Sequence, residues 1–315
     1  MVPNSIVSPS KRIDLLPPQR PTGPRGPRPP HGPAKSPRRA PTATGARPAR
    51  PIPSGPRGKP PGPPRETGPQ RIAKLLARAG VASRRDIERM IEDRRIALDG
   101  EILTTPATLL ENLRGVTVDG KPVAPPAAAR LWRFYKPAGC LTAANDPKGR
   151  PTIYDRLPGG LPRVMPVGRL DYMTEGLLLL TNDGELKRQL ELPATAVVRR
   201  YRARAFGEVS QAQLEELADG IEIEGMRYGS IDANLERRTG ANCWIELALT
   251  EGKNREVRRV LEHLGLQVSR LIRVSYGPFD MLDLDPGQVG EVQREELFRF
   301  RQTLKTPAAK EPRQP

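Results

Sequence analysis

From Arg71 onward, apolar residues recur at helical spacing: Ile72, Leu75, Leu76 and Ala79 share one face, and Gly80 is the expected stop. Ser83 then offers an N-cap, with Asp86 three residues on, for a second helix that would bury Ile87, Met90 and Ile91. Short alternating segments come next around Asp99-Gly100 and Asp119-Gly120, dipeptides suited to tight hairpin turns. Two helices and small strands predict a compact module over 69–124. Pro125, Pro126 and the alanines to Ala129 read as a linker over 125–129.

A larger domain is predicted over 130–304. Strand-like runs are Leu131–Tyr135, Leu177–Thr181, Tyr201–Phe206, Trp244–Leu249 and Val268–Val274, and helical patterns fall at Glu185–Glu191, Ser210–Leu217 and Asn254–Leu264. The two types mix without a regular βαβ alternation, which predicts an α+β fold with a mixed, largely antiparallel β-sheet flanked by helices. The longest strongly apolar run, Gly176 to Leu180, is far too short to span a membrane, and Met1 leads into Pro3, Ser5 and Pro9 without the apolar stretch of a signal peptide.

Composition changes the picture at the N-terminus. Residues 1–68 are rich in Pro, Arg and Gly with Asp14 and Glu66 as the only acids, so a disordered basic arm is expected there, and a disordered tail over 305–315. The arm reads either as a weak grip on phosphates or as a dispensable solvated tail. The whole chain of 315 residues carries a formal net charge of +16, which calls for a polyanionic partner, and the lack of a membrane segment makes that partner nucleic acid. Arg71, Lys74, Arg78, Arg84 and Arg85 crowd the first helix and the turn after it, as candidate RNA contacts rather than an ordinary solvated face. Two cysteines, Cys140 and Cys243, imply no disulfide framework and a cytoplasmic setting. With only His31 and His263 beside them there is no zinc-ligand spacing, and no metal is expected. Walker and Rossmann glycine patterns are missing, which argues against nucleotide cofactors.

Two segments can carry chemistry. Val167-Gly168-Arg169-Leu170-Asp171-Tyr172-Met173-Thr174-Glu175-Gly176 presents one carboxylate on a loop that runs into the apolar strand. Asp171 so placed is a nucleophile, a base or an ion-pair partner, or else a plain turn former or cap. Asp183-Gly184 is the better turn candidate of the two. The second segment, Leu249 to Val260, ends a strand at Gly252 and starts a helix at Asn254, which can cap it, with Arg255, Arg258 and Arg259 in its first turns. Arginines there suit a phosphate or a buried carboxylate, against the bland reading of a basic face.

The stretch from Arg71 to Arg85, with the hairpins after it, resembles the S4 RNA-binding domain over about Pro69 to Ala124. The Gly168-Arg169-Leu170-Asp171 motif, its Thr174-Glu175-Gly176 follow-on and the arginine-bearing helix resemble the pseudouridine synthases that modify ribosomal RNA at single sites, whose members place an S4 domain ahead of the catalytic one. The resemblance covers roughly 69 to 303, and the stretch Asn254–Arg259 with the run from Val268 to Gly277 looks most like the enzymes of the large ribosomal subunit.

That resemblance implies a cofactor-free isomerisation: a uridine is flipped out, its N1–C1′ bond is cleaved, and the base is rejoined through C5. It implies Asp171 as nucleophile or base, Arg258 as its basic partner, and Tyr201 stacked on the base and assisting proton removal. Leu271 would line the uracil pocket, Arg169 would hold the RNA open, and Arg255 would meet the substrate. Arg199 stands where the family often has Lys, which keeps the charge. The implied partner is 23S RNA or an assembling large subunit, met by a monomer. The competing readings are a non-catalytic S4-type RNA-binding or ribosome-assembly factor and a synthase acting on 16S RNA.

Overall fold

A computed structural model of the chain describes residues 68–304, so the readings made for the arm and the tail lie outside the described residues apart from residue 68. In the N-terminal module, helices α1 (Ile72–Arg78) and α2 (Arg84–Glu92) close over a four-stranded sheet. Its strands are β1 (Ile96–Leu98), β2 (Glu101–Ile102), β3 (Val116–Val118) and β4 (Lys121–Pro122), ordered β2-β1-β3-β4. Ile72, Leu76, Ile87, Ile91, Ile96 and Val116 form the core. Ser83 caps α2 as the spacing predicts, its hydroxyl accepting the Asp86 N–H at 3.1 Å. Asp99 and Gly100 have φ of 49° and 89°, and Asp119 and Gly120 have 48° and 73°, so both hairpins turn through two left-handed residues.

The second domain is built on a sheet whose main path contains β5 (Leu131–Lys136), β6 (Thr174–Thr181), β7 (Arg199–Phe206), β8 (Ile231–Thr239), β9 (Asn242–Leu249), β10 (Gln267–Tyr276) and β11 (Val289–Glu291). They lie in the order β8-β9-β7-β10-β6-β5-β11. Every neighbouring pair is antiparallel except β10 and β6, which run parallel with Leu271 opposite Thr174 and Arg273 opposite Gly176. The expected mixed, largely antiparallel sheet is therefore present, with its one parallel joint near the centre.

The apolar run explains why β6 sits there. Leu177 and Leu179 pack on one face with Leu186 and Leu190 of α3 (Gly184–Glu191). Leu178 and Leu180 pack on the other with Trp132, Phe134 and Ile153. A strand covered on both faces reads as continuous apolar sequence instead of alternation. Across the sheet, α4 (Gln211–Glu215) and α5 (Glu256–His263) cover Ala203, Ile245 and Leu247. The C-terminal α6 (Arg294–Thr303) returns to the α3 side and adds Leu297 and Phe300 to its core. Among the described residues, no helix is long and apolar enough to cross a membrane.

Two local expectations need correction. Asp183 is not a turn former: its Oδ1 accepts the Glu185 and Leu186 N–H groups at 2.9 and 2.8 Å, so it is the N-cap of α3. Asn254 does not cap α5. The cap is Arg255, in the left-handed region at φ 51°, because the Glu256 carboxylate reaches back to the Lys253 N–H at 2.8 Å and closes the loop itself. Strand β8, α6 and a hairpin at 221–228 were not predicted from the sequence at all.

Candidate active site

The parallel joint leaves a cleft of about 840 Å³ above the ends of β6 and β10. Asp171, Tyr201, Arg258, Leu271, Arg169 and Arg255 all line it. They come from four separate stretches of chain: the loop before β6, strand β7, the start of α5, and β10. The register brings them together. On β7, Ala203 pairs with Leu271 and Tyr201 with Arg273, while Leu271 pairs with Thr174, three residues past Asp171.

The Asp171 loop is tied down along its backbone. The Thr174 N–H bonds the Asp171 carbonyl at 3.0 Å, making a tight turn. Beneath it the fully buried Lys136 ammonium donates to the carbonyls of Asp171 at 3.1 Å, Tyr172 at 3.4 Å, Thr174 at 2.8 Å and Pro137 at 3.1 Å. Burial pushes the Lys136 pKa down, while Cys140, Asp171 and Glu175 work against that shift. One residue earlier, the Thr142 hydroxyl donates to the Leu170 carbonyl at 2.9 Å and accepts the Leu170 N–H at 3.2 Å. At Gly168, the N–H reaches the Glu191 carboxylate at 2.6 Å. With the backbone satisfied in this way, the Asp171 side chain makes no hydrogen bond or ion pair among the described residues. A half-buried carboxylate held rigid yet unspent is what attack or proton abstraction requires.

Arg258 is 8% exposed and donates from Nη1 to the Val268 carbonyl at 3.0 Å. Burial and then neighbouring Arg255 lower its pKa, and the Asp171 charge opposes them. The two side chains feel one another across the cleft without a direct ion pair among the described residues. Arg255 and Arg169 are exposed, Tyr201 is half-buried, and Leu271 is 4% exposed, an apolar floor. Arg255 lies 3.7 Å from Glu262.

None of the five basic candidates of the N-terminal module lines the cleft. Arg71, Arg84 and Arg85 are exposed, and Lys74 and Arg78 are half-buried. Arg78 is directed at Asp183, with Nε 3.6 Å from Oδ2, so this side chain ties the module to the cap of α3.

Several residues were missed from sequence. Lys136 carried a signal, a charge closing the strand-like run Leu131–Tyr135 just before Pro137. Arg199, noted in the sequence only for keeping the family's charge, had its structural role missed: it is almost wholly buried and donates to the Thr250 and Glu251 carbonyls at 2.5 and 3.1 Å and the Tyr276 hydroxyl at 3.1 Å, which fastens β7 to the loop before α5. Nothing distinguished Thr142, whose use depends wholly on the fold.

The comparisons with known proteins agree with this arrangement. A family model described as RNA pseudouridylate synthase matches residues 130–263, and an S4 domain model matches residues 70–111. An uncharacterised RNA pseudouridine synthase of Rickettsia bellii is 44% identical over 225 residues, covering 71% of this chain and 97% of the relative. A protein of Salmonella typhi named ribosomal large subunit pseudouridine synthase B is 44% identical over 217 residues, 66% of this chain and 74% of the relative. A crystal structure of pseudouridylate synthase shares the fold, with a TM-score of 0.51 at 24% identity over 72% of this chain and 98% of that one. A basic S4 module followed by a carboxylate-bearing cleft on a mixed sheet is an RNA-modifying isomerase. The chain belongs to the RNA pseudouridine synthase family. Its chemistry is the conversion of uridine in RNA to pseudouridine, with the S4 domain as an RNA-binding element.

Proposed function

We propose that the chain isomerises a uridine of 23S ribosomal RNA in the Asp171 cleft, working as a monomer in the cytoplasm on the RNA or on the assembling large subunit. The observation that carries the reading is the convergence of Asp171, Tyr201, Arg258 and Leu271 on one cleft. The large-subunit assignment is supported by the resemblance of Val268–Gly277 and by the name of the Salmonella relative.

The target uridine must leave its stack, which costs roughly a few kcal/mol, least where the RNA is already unpaired. Arg169 and Arg255, exposed at the rim, meet the phosphates beside the flipped nucleotide. The base lies on Leu271 and stacks on Tyr201. Asp171 then acts on the nucleotide, as nucleophile or as base on a sugar proton, and the N1–C1′ bond breaks. The uracil turns within the cleft, C5 bonds to C1′, and the C5 proton leaves with Tyr201 in reach to assist. Arg258 places its positive charge near Asp171 and helps to aim it. No bond in this sequence asks for an oxidant or a metal. Outside the cleft, residues 69–124 serve as the RNA-binding domain with Arg71, Lys74, Arg84 and Arg85 toward RNA, while Arg78 is held by Asp183. Residues 125–129 act as linker, 130–304 as catalytic domain, and 1–68 as a basic arm.

Tritium release from transcribed RNA labelled at uridine C5 tests the assignment. Release from 23S and not from 16S RNA, in naked or precursor-particle form, is expected. Release from 16S alone would move the enzyme to the small subunit.

A further inference from the structure

The loop between β9 and α5 sets two acids beside one another, Glu256 buried and Glu251 half-buried. Glu256 is 3% exposed; its Oε2 accepts the Lys253 N–H at 2.8 Å, while Oε1 is sealed from solvent with no donor in reach. Glu251 stands opposite, its Oε1 accepting the Gly229 N–H at 2.6 Å and the Lys253 ammonium at 2.9 Å. Glu251 and Glu256 are close enough to act on each other's titration. Two carboxylates offer only acceptors, so the pair can hydrogen-bond only when one of them keeps its proton.

The surroundings decide which one does. Burial raises Glu251, but the Gly229 N–H, the Lys253 ammonium and the nearby Glu256 carboxyl outweigh it and hold Glu251 below its ordinary value. Glu256 has a single backbone donor, and burial followed by the Glu251 carboxylate pushes it up to about 8. The other charges around the pair are spoken for. The Arg199 guanidinium faces the Thr250 and Glu251 carbonyls. Lys253 also reaches the Arg227 carbonyl at 2.6 Å and lies over the Tyr228 ring at 5.6 Å. Arg255 leans to Glu262, and Arg258 to Val268. Among the described residues, none forms an ion pair with Glu256. A proton on Oε1, donated to Glu251, gives the orphaned oxygen its partner.

We propose that Glu256 works as an undissociated acid whose proton bridges to Glu251, and that this bridge fixes the loop bearing Arg255 and sets Arg258 toward Asp171. Glu256 is thus a positioning residue, and its part in catalysis rests on the function proposed above. Loss of the proton would leave a buried negative charge on Glu256 next to that of half-buried Glu251, under the arginine loop. A glutamine fits the same place, its amide nitrogen donating to Glu251 and its oxygen accepting from Lys253.

Two readouts test this, one without substrate. A carboxyl raised from 4.5 to about 8 in the folded chain holds a proton that the unfolded chain has lost, so stability falls as pH rises through that window and levels off above it. The unfolding temperature of E256Q should therefore gain on wild type steadily from pH 5 to 8. In tritium release, wild-type kcat/KM should drop roughly tenfold per pH unit above pH 8, as for a single essential proton. E256A should lose kcat with little change in KM, and E256Q should rescue it and flatten the alkaline limb. An E256Q profile that falls as wild type does, or a gap in unfolding temperature that does not change with pH, would overturn the proposal. A wild-type protein inactive at pH 7 would count against the proposed function instead, because the unfolding comparison stands without it.

Discussion

At the scale of single residues, Gly176 shows how closely the site is built. It sits at φ +101° where β6 meets β10, and a Cβ there would lie 2.4 Å from the Arg273 carbonyl oxygen and 2.8 Å from its nitrogen. Both obstacles are backbone, so no side chain can swing aside. Strain at such a φ alone costs about 1–3 kcal/mol, and the clash adds to it. Gly176→Ala is expected to lower the unfolding free energy by more than about 2 kcal/mol in urea denaturation. A variant as stable as wild type would mean that the parallel pairing of Gly176 with Arg273 is wrong. The same pairing fixes Thr174 beside Leu271, so the glycine bears on the site through the register that carries Asp171.

Among the elements, α3 joins the two domains. Its cap, Asp183, spends one carboxylate oxygen on two N–H groups of the helix and turns the other toward Arg78. Loss of an N-cap costs about 1–2 kcal/mol, and a partly exposed ion pair at most about 1 kcal/mol. Asp183→Ala should therefore destabilise the chain by roughly 1–2 kcal/mol in urea denaturation, Arg78→Ala by clearly less, and Asp183→Asn by little because asparagine also caps. Equal losses for Asp183→Ala and Arg78→Ala would show that the contact between domains, and not the cap, holds the helix.

Elements of this kind were legible in the sequence to different degrees. The α2 cap, the two Asp-Gly turns and the β6 core could be read because each rests on local spacing or on a run of apolar residues. Strand β8 kept an alternation in Ile231, Ala233 and Leu235 that went unread before its run of charges. Helix α6 shows few apolar residues beyond Leu297 and Phe300, so its pattern was weak. Asp183 was misread because a turn and a helix cap use the same residue, and only the helix at Gly184–Glu191 separates the two. The candidate site was legible as a motif and a resemblance. Its supports were not: Thr142, Glu191 and Lys136 act on the Asp171 loop across separations of 23 to 35 residues that no local pattern records.

Across the whole molecule, the parts divide the work. The S4 module exposes basic side chains while its core stays small, and the catalytic sheet spends its one parallel joint on the cleft. On the proposed reading, positive charge draws in RNA without choosing a base, and the cleft supplies the chemistry. The central claim is that the rigidly held, unspent carboxylate of Asp171 performs the isomerisation. Tritium release from C5-labelled RNA by Asp171→Asn, run beside wild type with RNA affinity measured by filter binding, tests it most directly. Asparagine keeps the shape and removes the charge, so release is expected to disappear while RNA affinity stays within a few-fold of wild type. Release by the variant at a rate close to that of wild type would contradict the claim and move catalysis to another group.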